Sequence, residues 1–279
     1  MPGILYIVAT PIGNLEDMTF RAVRVLKDVD LIAAEDTRHT QVLLNRFEIG
    51  TALTSYHQHN ERTKARQLVA RLKRGASIAL VSDAGTPAIS DPGYRLVVEA
   101  LDAGIRVIPV PGPSALTAVL SAGGLPTNEF VFAGFLPAKK QERRSKLREL
   151  RDEQRSMVMH EAPHRLKECL DDLHDVLGDR RIVVAREVTK VHEEFIRGCV
   201  SQVIEELAAK EVRGEITLVV EGSSQNTAVS EEALRDEIAT LQAGGKRVKE
   251  IAEILGEKFG YSKKEIYRLV LDQSEEGRR

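Results

Sequence analysis

Short apolar runs alternate with amphipathic stretches of helical length through the first 125 residues. ILYIVA (4–9), DLIAA (30–34), ALTSY (52–56), SIALV (77–81) and IRVIPV (105–110) read as strands. Apolar positions at helical spacing between and after them predict helices near 19–27, 37–47, 61–73, 94–103 and 114–122. Asn60 and Ser114 stand at N-cap positions, and Gly75 and Gly104 at C-terminal stops. Apolar strands alternating with helices predict a parallel sheet covered on both faces. Such sheets bind ligands beyond the carboxyl ends of their strands, where the strand order switches.

From about 129 to 222 the pattern changes. FVFAGF, SMVMHE, RIVVARE, EFIRGCV and EITLVVEG read as strands with fewer helices between them. EFIRGCV follows RIVVARE after a short connection, which predicts an antiparallel pair. The expected fold is therefore α/β, with an N-terminal parallel-sheet domain over 1–125 and a mixed-sheet α/β domain over 126–222. A polar linker, SSQNTAVS (223–230), leads to a helical tail over 231–273, whose last helix opens on a Ser262/Glu265 capping box.

Composition narrows the class. The 279 residues are 42% hydrophobic and 29% charged, with a net charge of −2. That is an ordinary globular balance with no pervasive basic coat for nucleic acid. No run approaches the ~20 apolar residues of a membrane span, and the N-terminus predicts no secretory signal. Cys169 and Cys199 form no CxxC pair and read as buried thiols of a cytoplasmic protein.

Familiar signatures are missing: no GxGxxG after the first strand, no P-loop and no GxSxG elbow. His160-Glu161-Ala162-Pro163-His164 satisfies HExxH, but zinc chemistry needs both histidines on one helix face. Pro163 disfavours a helix through Ala162, so a strand ending near Glu161 and a helix starting at Pro163 is the better reading, with no metal site. His57 and His59 alternate at a strand end and make a weak metal signal.

Three small-residue turns follow predicted strands on one rim: ATPIGN (9–14), SDAGTPAISDPG (82–93) and VPGPSALTAV (110–119). They describe a pocket for a sizeable neutral or zwitterionic ligand, since nothing basic lies within them. Glu35-Asp36-Thr37-Arg38 stands on the same rim and either caps a helix or serves the site. The segment 138–155 holds eight Lys or Arg against four acids, with Lys139, Lys140, Arg143 and Arg144 at its start. It reads either as a solvated helix or as a phosphate-binding surface. Lys246, Arg247, Lys249, Lys263, Lys264 and Arg268 add charge to the tail.

LYIVATPIGNLEDMTFRA, AAEDTRHT, LVSDAGTPAISDPGYRLV, VPGPSALTAVLSAGGLP, FAGFLP, HEAPHRL, REVTKVHEE and GEITLVVEG occur in this order between residue 4 and about 222. Together they resemble the tetrapyrrole methylase superfamily, and within it the branch that acts on ribosomal RNA, which the helical tail also suits. The resemblance implies two α/β domains of that type with S-adenosylmethionine in the cleft between them. It implies methylation of the ribose 2′-hydroxyl of a decoding-region cytidine in 16S rRNA or the small ribosomal subunit. Carried over by position, the cofactor contacts would be Pro11, Ser82, Asp83, Ala84, Gly85, Ile89, Ser114, Ala115, Glu161 and Thr217. A homodimer is expected from family habit. ATPIGN departs from the GxGPGD-like first turn of the tetrapyrrole enzymes, which argues against a corrin or porphyrin substrate.

Methyl transfer to a hydroxyl is an in-line displacement that needs alignment, a route for the proton and a cation near the developing alkoxide. Asp36 is the candidate base, and Arg38 and Lys190 are candidates for holding phosphate or the oxyanion. Lys190 could instead join Arg186, Glu187 and Glu193 in a plain ion-pair network. Three rivals stay open: a methyltransferase of tetrapyrroles or protein side chains, a zinc hydrolase, and a non-catalytic ribosome-assembly factor.

Overall fold

A computed structural model of the chain describes residues 2–223, 231–259 and 266–270. The first half runs β1 (Ile4–Val8), α1 (Phe20–Asp28), β2 (Leu31–Ala34), α2 (Thr37–Arg46), β3 (Leu53–Ser55), α3 (Glu61–Lys73), β4 (Ile78–Val81), α4 (Tyr94–Asp102), β5 (Arg106–Val110) and α5 (Ala115–Gly123). Its five strands form one parallel sheet in the order β3-β2-β4-β1-β5. β2 and β4 are buried at every position, as strands covered on both faces must be. Ala22, Val25 and Leu26 of α1 and Leu44 of α2 close one face. Leu68 and Leu72 of α3 and Leu96 and Ala100 of α4 close the other. Neighbouring strands β1 and β4 thus feed helices on opposite faces, which opens a crevice at their carboxyl ends.

The second sheet contains β6 (Phe130–Phe135), β7 (Ser156–Glu161), β8 (Arg181–Arg186), β9 (Glu194–Cys199) and β10 (Ile216–Val220), in the order β6-β7-β10-β8-β9. β6 and β7 are parallel and the other pairs antiparallel, including the expected β8–β9 pair. α6 (Lys140–Glu149), α7 (Leu166–Leu177) and α8 (Val200–Leu207) cover one face through Leu147, Leu170, Leu173 and Val203. The other face is closed by α5, whose Val119 and Leu120 pack on Val158, Val183 and Val219. A helix that leaves the first sheet therefore roofs the second, and residues through Arg151 with Arg155–Glu221 form one compact unit.

A second unit comprises Asp152–Gln154 and the chain from Gly222. In it α9 (Glu231–Ala243) and α10 (Val248–Phe259) gather Leu234, Ile238, Ile251, Leu255, Ile266 and Val270 into a core of their own. The expected linker beyond Ser223, the Ser262/Glu265 capping box, Lys263 and Lys264 lie outside the described residues. Among the described residues no helix is long and apolar enough to cross a membrane.

The expected stops at Gly75 and Gly104 have φ of +101° and +70°, backbone that glycine adopts without strain. Ser114 and Asn60 occupy their N-cap positions, but neither side chain caps. Asn60 Oδ1 instead accepts from the His57 amide at 2.9 Å, tightening the turn before α3. Glu161 ends β7, and one 3-10 turn, Pro163–Arg165, leads into α7. His160 and His164 consequently share no helix face. Among the described residues no three His, Cys, Asp or Glu side chains are arranged to hold a metal ion.

Candidate active site

The loops after β1, β4 and β5 meet the ends of β6 and β7 and the start of β10 around a cavity of about 370 Å3. Seven of the ten expected cofactor residues line it: Ala84, Gly85, Ile89, Ser114, Ala115, Glu161 and Thr217. Gly85 turns the chain at φ +78° and pairs with Thr10, amide to carbonyl, at 3.0 Å and 2.9 Å. That pairing divides the rim. Ile12, Ala84 and Gly85 face the cavity, while Pro11, Gly13, Ser82 and Asp83 face a second cleft of about 230 Å3.

Pro11, Ser82 and Asp83 line that adjoining cleft, across the Thr10–Gly85 pairing from the other seven. Ser82 is buried; its hydroxyl donates to the Ala84 carbonyl at 3.3 Å, and its own carbonyl accepts from the Thr10 hydroxyl at 3.1 Å. Asp83 Oδ1 accepts from the Asp36 amide at 3.0 Å, joining the β4 and β2 loops.

The first amides of α5 lie open, since the Ser114 side chain makes no capping bond. Ser114, Ala115 and Leu116 all line the cavity. No Lys or Arg does so among the described residues, which agrees with a neutral or zwitterionic ligand. Glu161 Oε1 accepts from the Ala162 amide at 2.7 Å and pairs with Arg165, while its buried Oε2 has no hydrogen-bond partner.

Sequence reasoning did not single out Phe135, His160, Asp91 and Glu215, which also line the cavity. His160 Nδ1 lies 3.0 Å from Thr217 Oγ1, its ring meets Phe132 and Phe135, and burial lowers its pKa. Strand alternation carried the signal: Met157 and Met159 enter one core and Val158 the other, so His160 shares the Val158 face. Asp91 separates the cavity from a third hollow of about 470 Å3, lined by Glu35, Glu61, Asp91 and Glu99 against one cation, Arg95. Burial and then the Glu35 carboxylate push the Asp91 carboxyl up to about 6. Burial and then Asp83 raise Glu35 as well.

None of the expected catalytic residues lines these hollows; Asp36 and Lys190 lie against residues of the 230 Å3 cleft, Asp83 and Gly13. Asp36 caps α2, accepting from the Arg38 amide at 2.8 Å and pairing with the Arg38 guanidinium at 2.8 Å. That guanidinium holds the Asp36 carboxyl far below the ordinary carboxylate range, which leaves it ionised but feebly basic. Lys190 crosses Gly13 so closely that a Cβ there would lie 2.3 Å from Lys190 Cγ. Its ammonium bridges Glu187 at 2.8 Å and Glu215 at 3.3 Å. Burial opposes that charge, but the two carboxylates hold the ammonium above its ordinary value. Glu187 and Thr189 on the same turn adopt φ of +53° and +71°, a conformation costly for side chains of their kind.

The basic segment is corrected in part. Arg143 is fully buried, with Nε donating to Asp172 Oδ2 at 2.8 Å, and Arg144 pairs with Asp172 and Asp175. These ion pairs bolt α6 to α7. Lys139 and Lys140 remain exposed, Lys139 paired with Glu142.

Residues 4–204 match the family model described as Tetrapyrrole (Corrin/Porphyrin) Methylases. The chain is 47% identical over 273 residues to "Ribosomal RNA small subunit methyltransferase I" of Halalkalibacterium halodurans, covering 96% of this chain and 94% of the relative. The protein of that name from Synechocystis is 48% identical over 278 residues, covering 99% and 100%. Among solved structures, uroporphyrin-III-C-methyltransferase from Thermus thermophilus shares the fold at a TM-score of 0.55 and 21% identity, over 78% of this chain and 94% of that one.

Proposed function

Because the chain belongs to the tetrapyrrole (corrin/porphyrin) methylase family, we propose that it transfers a methyl group from S-adenosylmethionine to small-subunit ribosomal RNA, at the ribose 2′-hydroxyl of a decoding-region cytidine. The observation that carries the substrate is the identity of nearly half, over almost the whole length, to relatives named for that RNA. The cavity carries the donor: its size, its small residues and its lack of cations suit a zwitterionic ligand.

Ser114 and the open amides of α5 would hold the donor's carboxylate. Asp91 and Glu215 would accept from its amine or hydroxyl groups, and Ile89, Leu116 and Phe135 would pack its rings. When bound, S-adenosylmethionine supplies a methyl group on a positively charged sulfur. The chain's own task is then alignment, because held geometry removes most of the entropic cost of such a displacement. Arg38, anchored by Asp36, and Lys190, anchored by Glu187 and Glu215, are cations fixed near the rim. Their proposed work is to hold phosphate and stabilise the developing alkoxide. Asp36 serves here as the anchor of Arg38.

The enzyme is further proposed to be a cytoplasmic homodimer, a point that a monomeric mass by light scattering would overturn. The reaction is tested with small subunits from a strain lacking this gene, methylated by the purified protein and digested for mass spectrometry. The expected result is one cytidine that lacks its 2′-O-methyl group in the strain and regains it in the tube. An unaltered methylation pattern in the deletion strain would refute the reading.

A further inference from the structure

We infer that the acceptor nucleotide enters through the 230 Å3 cleft beneath the β1 loop, and that the RNA strand lies along the exposed faces of α1 and α2, with Phe20 as its stacking platform. The inference rests on the proposed RNA substrate and says where that substrate docks.

Donor and acceptor sites must share a wall, and two hollows adjoin the donor cavity. The larger shares Ser90 and Asp91 with it and presents Glu35, Glu61, Asp91 and Glu99. Four carboxylates against one arginine repel a polyanion. The smaller lies across the Thr10–Gly85 pairing and contains a single carboxylate, Asp83, beside His39 and Thr40. Charge selects the smaller one. Asp83 then stands where an acceptor hydroxyl can donate to it.

The mouth of that cleft has the chemistry of a single-stranded nucleic acid site. Leu15 and Val42 line it and are 43% and 69% exposed, and Phe20, at the start of α1, is 97% exposed. α1 and α2 cover the same face of the first sheet through one core. Arg21 and Arg24 on α1 and Arg46 on α2 are exposed, and none makes an ion pair among the described residues. In the segment after residue 138, Lys139, Arg143, Arg144 and Lys146 are each paired with a carboxylate of their own fold, while Lys140 and Arg148 are exposed with no ion pair among the described residues. Arg21 and Arg24, one residue and one helical turn beyond Phe20, offer phosphate contacts beside a stacking face, the combination by which splayed RNA bases are held.

The test uses the full-length protein, small ribosomal subunits from a strain lacking the gene, and S-adenosylmethionine. Phe20→Ala should weaken subunit binding about 5- to 100-fold, the range of one lost base–aromatic stack. Arg21→Gln, Arg24→Gln and Arg46→Gln together should flatten the log–log salt slope by about 2, at ~0.7 per phosphate contact. Cofactor affinity and particle mass should not change. Unchanged subunit affinity, with wild type still methylating, overturns the docking site and leaves the reaction standing. A fall in mass for Phe20→Ala overturns it differently, by assigning this face to a second copy of the chain. Loss of subunit binding from Lys139→Gln/Lys140→Gln, with Phe20→Ala silent, moves the RNA to α6. If wild type neither binds nor methylates subunits, the reaction itself fails and the docking site with it.

Discussion

Asp91 belongs to the wall between two hollows, and its carboxyl is pushed up to about 6 by burial and by Glu35. A carboxyl raised in the fold binds its proton more tightly there than in the unfolded chain. Stability therefore falls as pH rises from about 4 to about 6 and stays low above that window. Asp91→Asn should stabilise the protein at pH 7 and lose that advantage near pH 4. Partial exposure screens the effect to on the order of 1 kcal/mol. Urea titrations at pH 4, 5.5 and 7 read it directly, and a gain that persists at pH 4 would contradict the cause assigned. Ser114 tests the other end of the cavity. Ser114→Tyr should fill the space before α5 and remove S-adenosylmethionine binding by calorimetry while the thermal transition is kept. Retained affinity would place the donor elsewhere.

At the scale of elements, the α6–α7 contact shows what charge means once it is buried. Asp172→Ala would strand the fully buried Arg143 guanidinium, at a cost of about 3–5 kcal/mol in chemical denaturation. Lys139→Gln, at the exposed start of the same helix, should leave the midpoint where it is. Equal midpoints for Asp172→Ala and wild type would show that Glu168 and the Ala138 carbonyl suffice as partners for Arg143. The same contact explains the limits of the sequence. β2 and β4 lie within a residue of the apolar runs that announced them, because a strand covered on both faces must be apolar along its length. Asp172 lies 29 residues from Arg143, and no local pattern tells a bolted arginine from a solvated one. The cavity was legible as loops on one rim, since parallel strands deliver their loops to one edge. Its far wall was legible only through the resemblance, which supplied Glu161 and Thr217; Phe135 and His160 arrive on β6 and β7 of the other sheet, and Glu215 just before β10. The turn of Pro11, Ser82 and Asp83 into the second cleft depends on one backbone pairing, Thr10 with Gly85, which small residues permit but do not reveal.

For the whole molecule, the question is what the C-terminal unit contributes. Every residue lining the cavity lies between Ile12 and Thr217, and the second sheet is complete once β10 ends at Val220. The C-terminal unit has its own core, from Leu234 to Val270, built from α9, α10 and the helical residues 266–270. Removing the chain after Gly222 should accordingly leave S-adenosylmethionine affinity within about twofold, because no wall of the donor site is lost. RNA is a different matter. The unit carries Lys246, Arg247 and Lys249 among its described residues. If these three meet phosphate, the truncated protein should bind small subunits more weakly and with a salt slope smaller by about 2. If the unit serves instead to dock on ribosomal protein, affinity should fall with the slope unchanged, since no counterions are released at a neutral contact. A collapse of cofactor affinity on truncation would show that the donor cavity depends on the C-terminal unit after all. Calorimetry with S-adenosylmethionine and subunit titrations at three salt concentrations, on the full-length and shortened chains, distinguish these results. The expected outcome is an intact donor site and a reduced slope, with recognition of RNA shared between the α1–α2 rim and the helical tail.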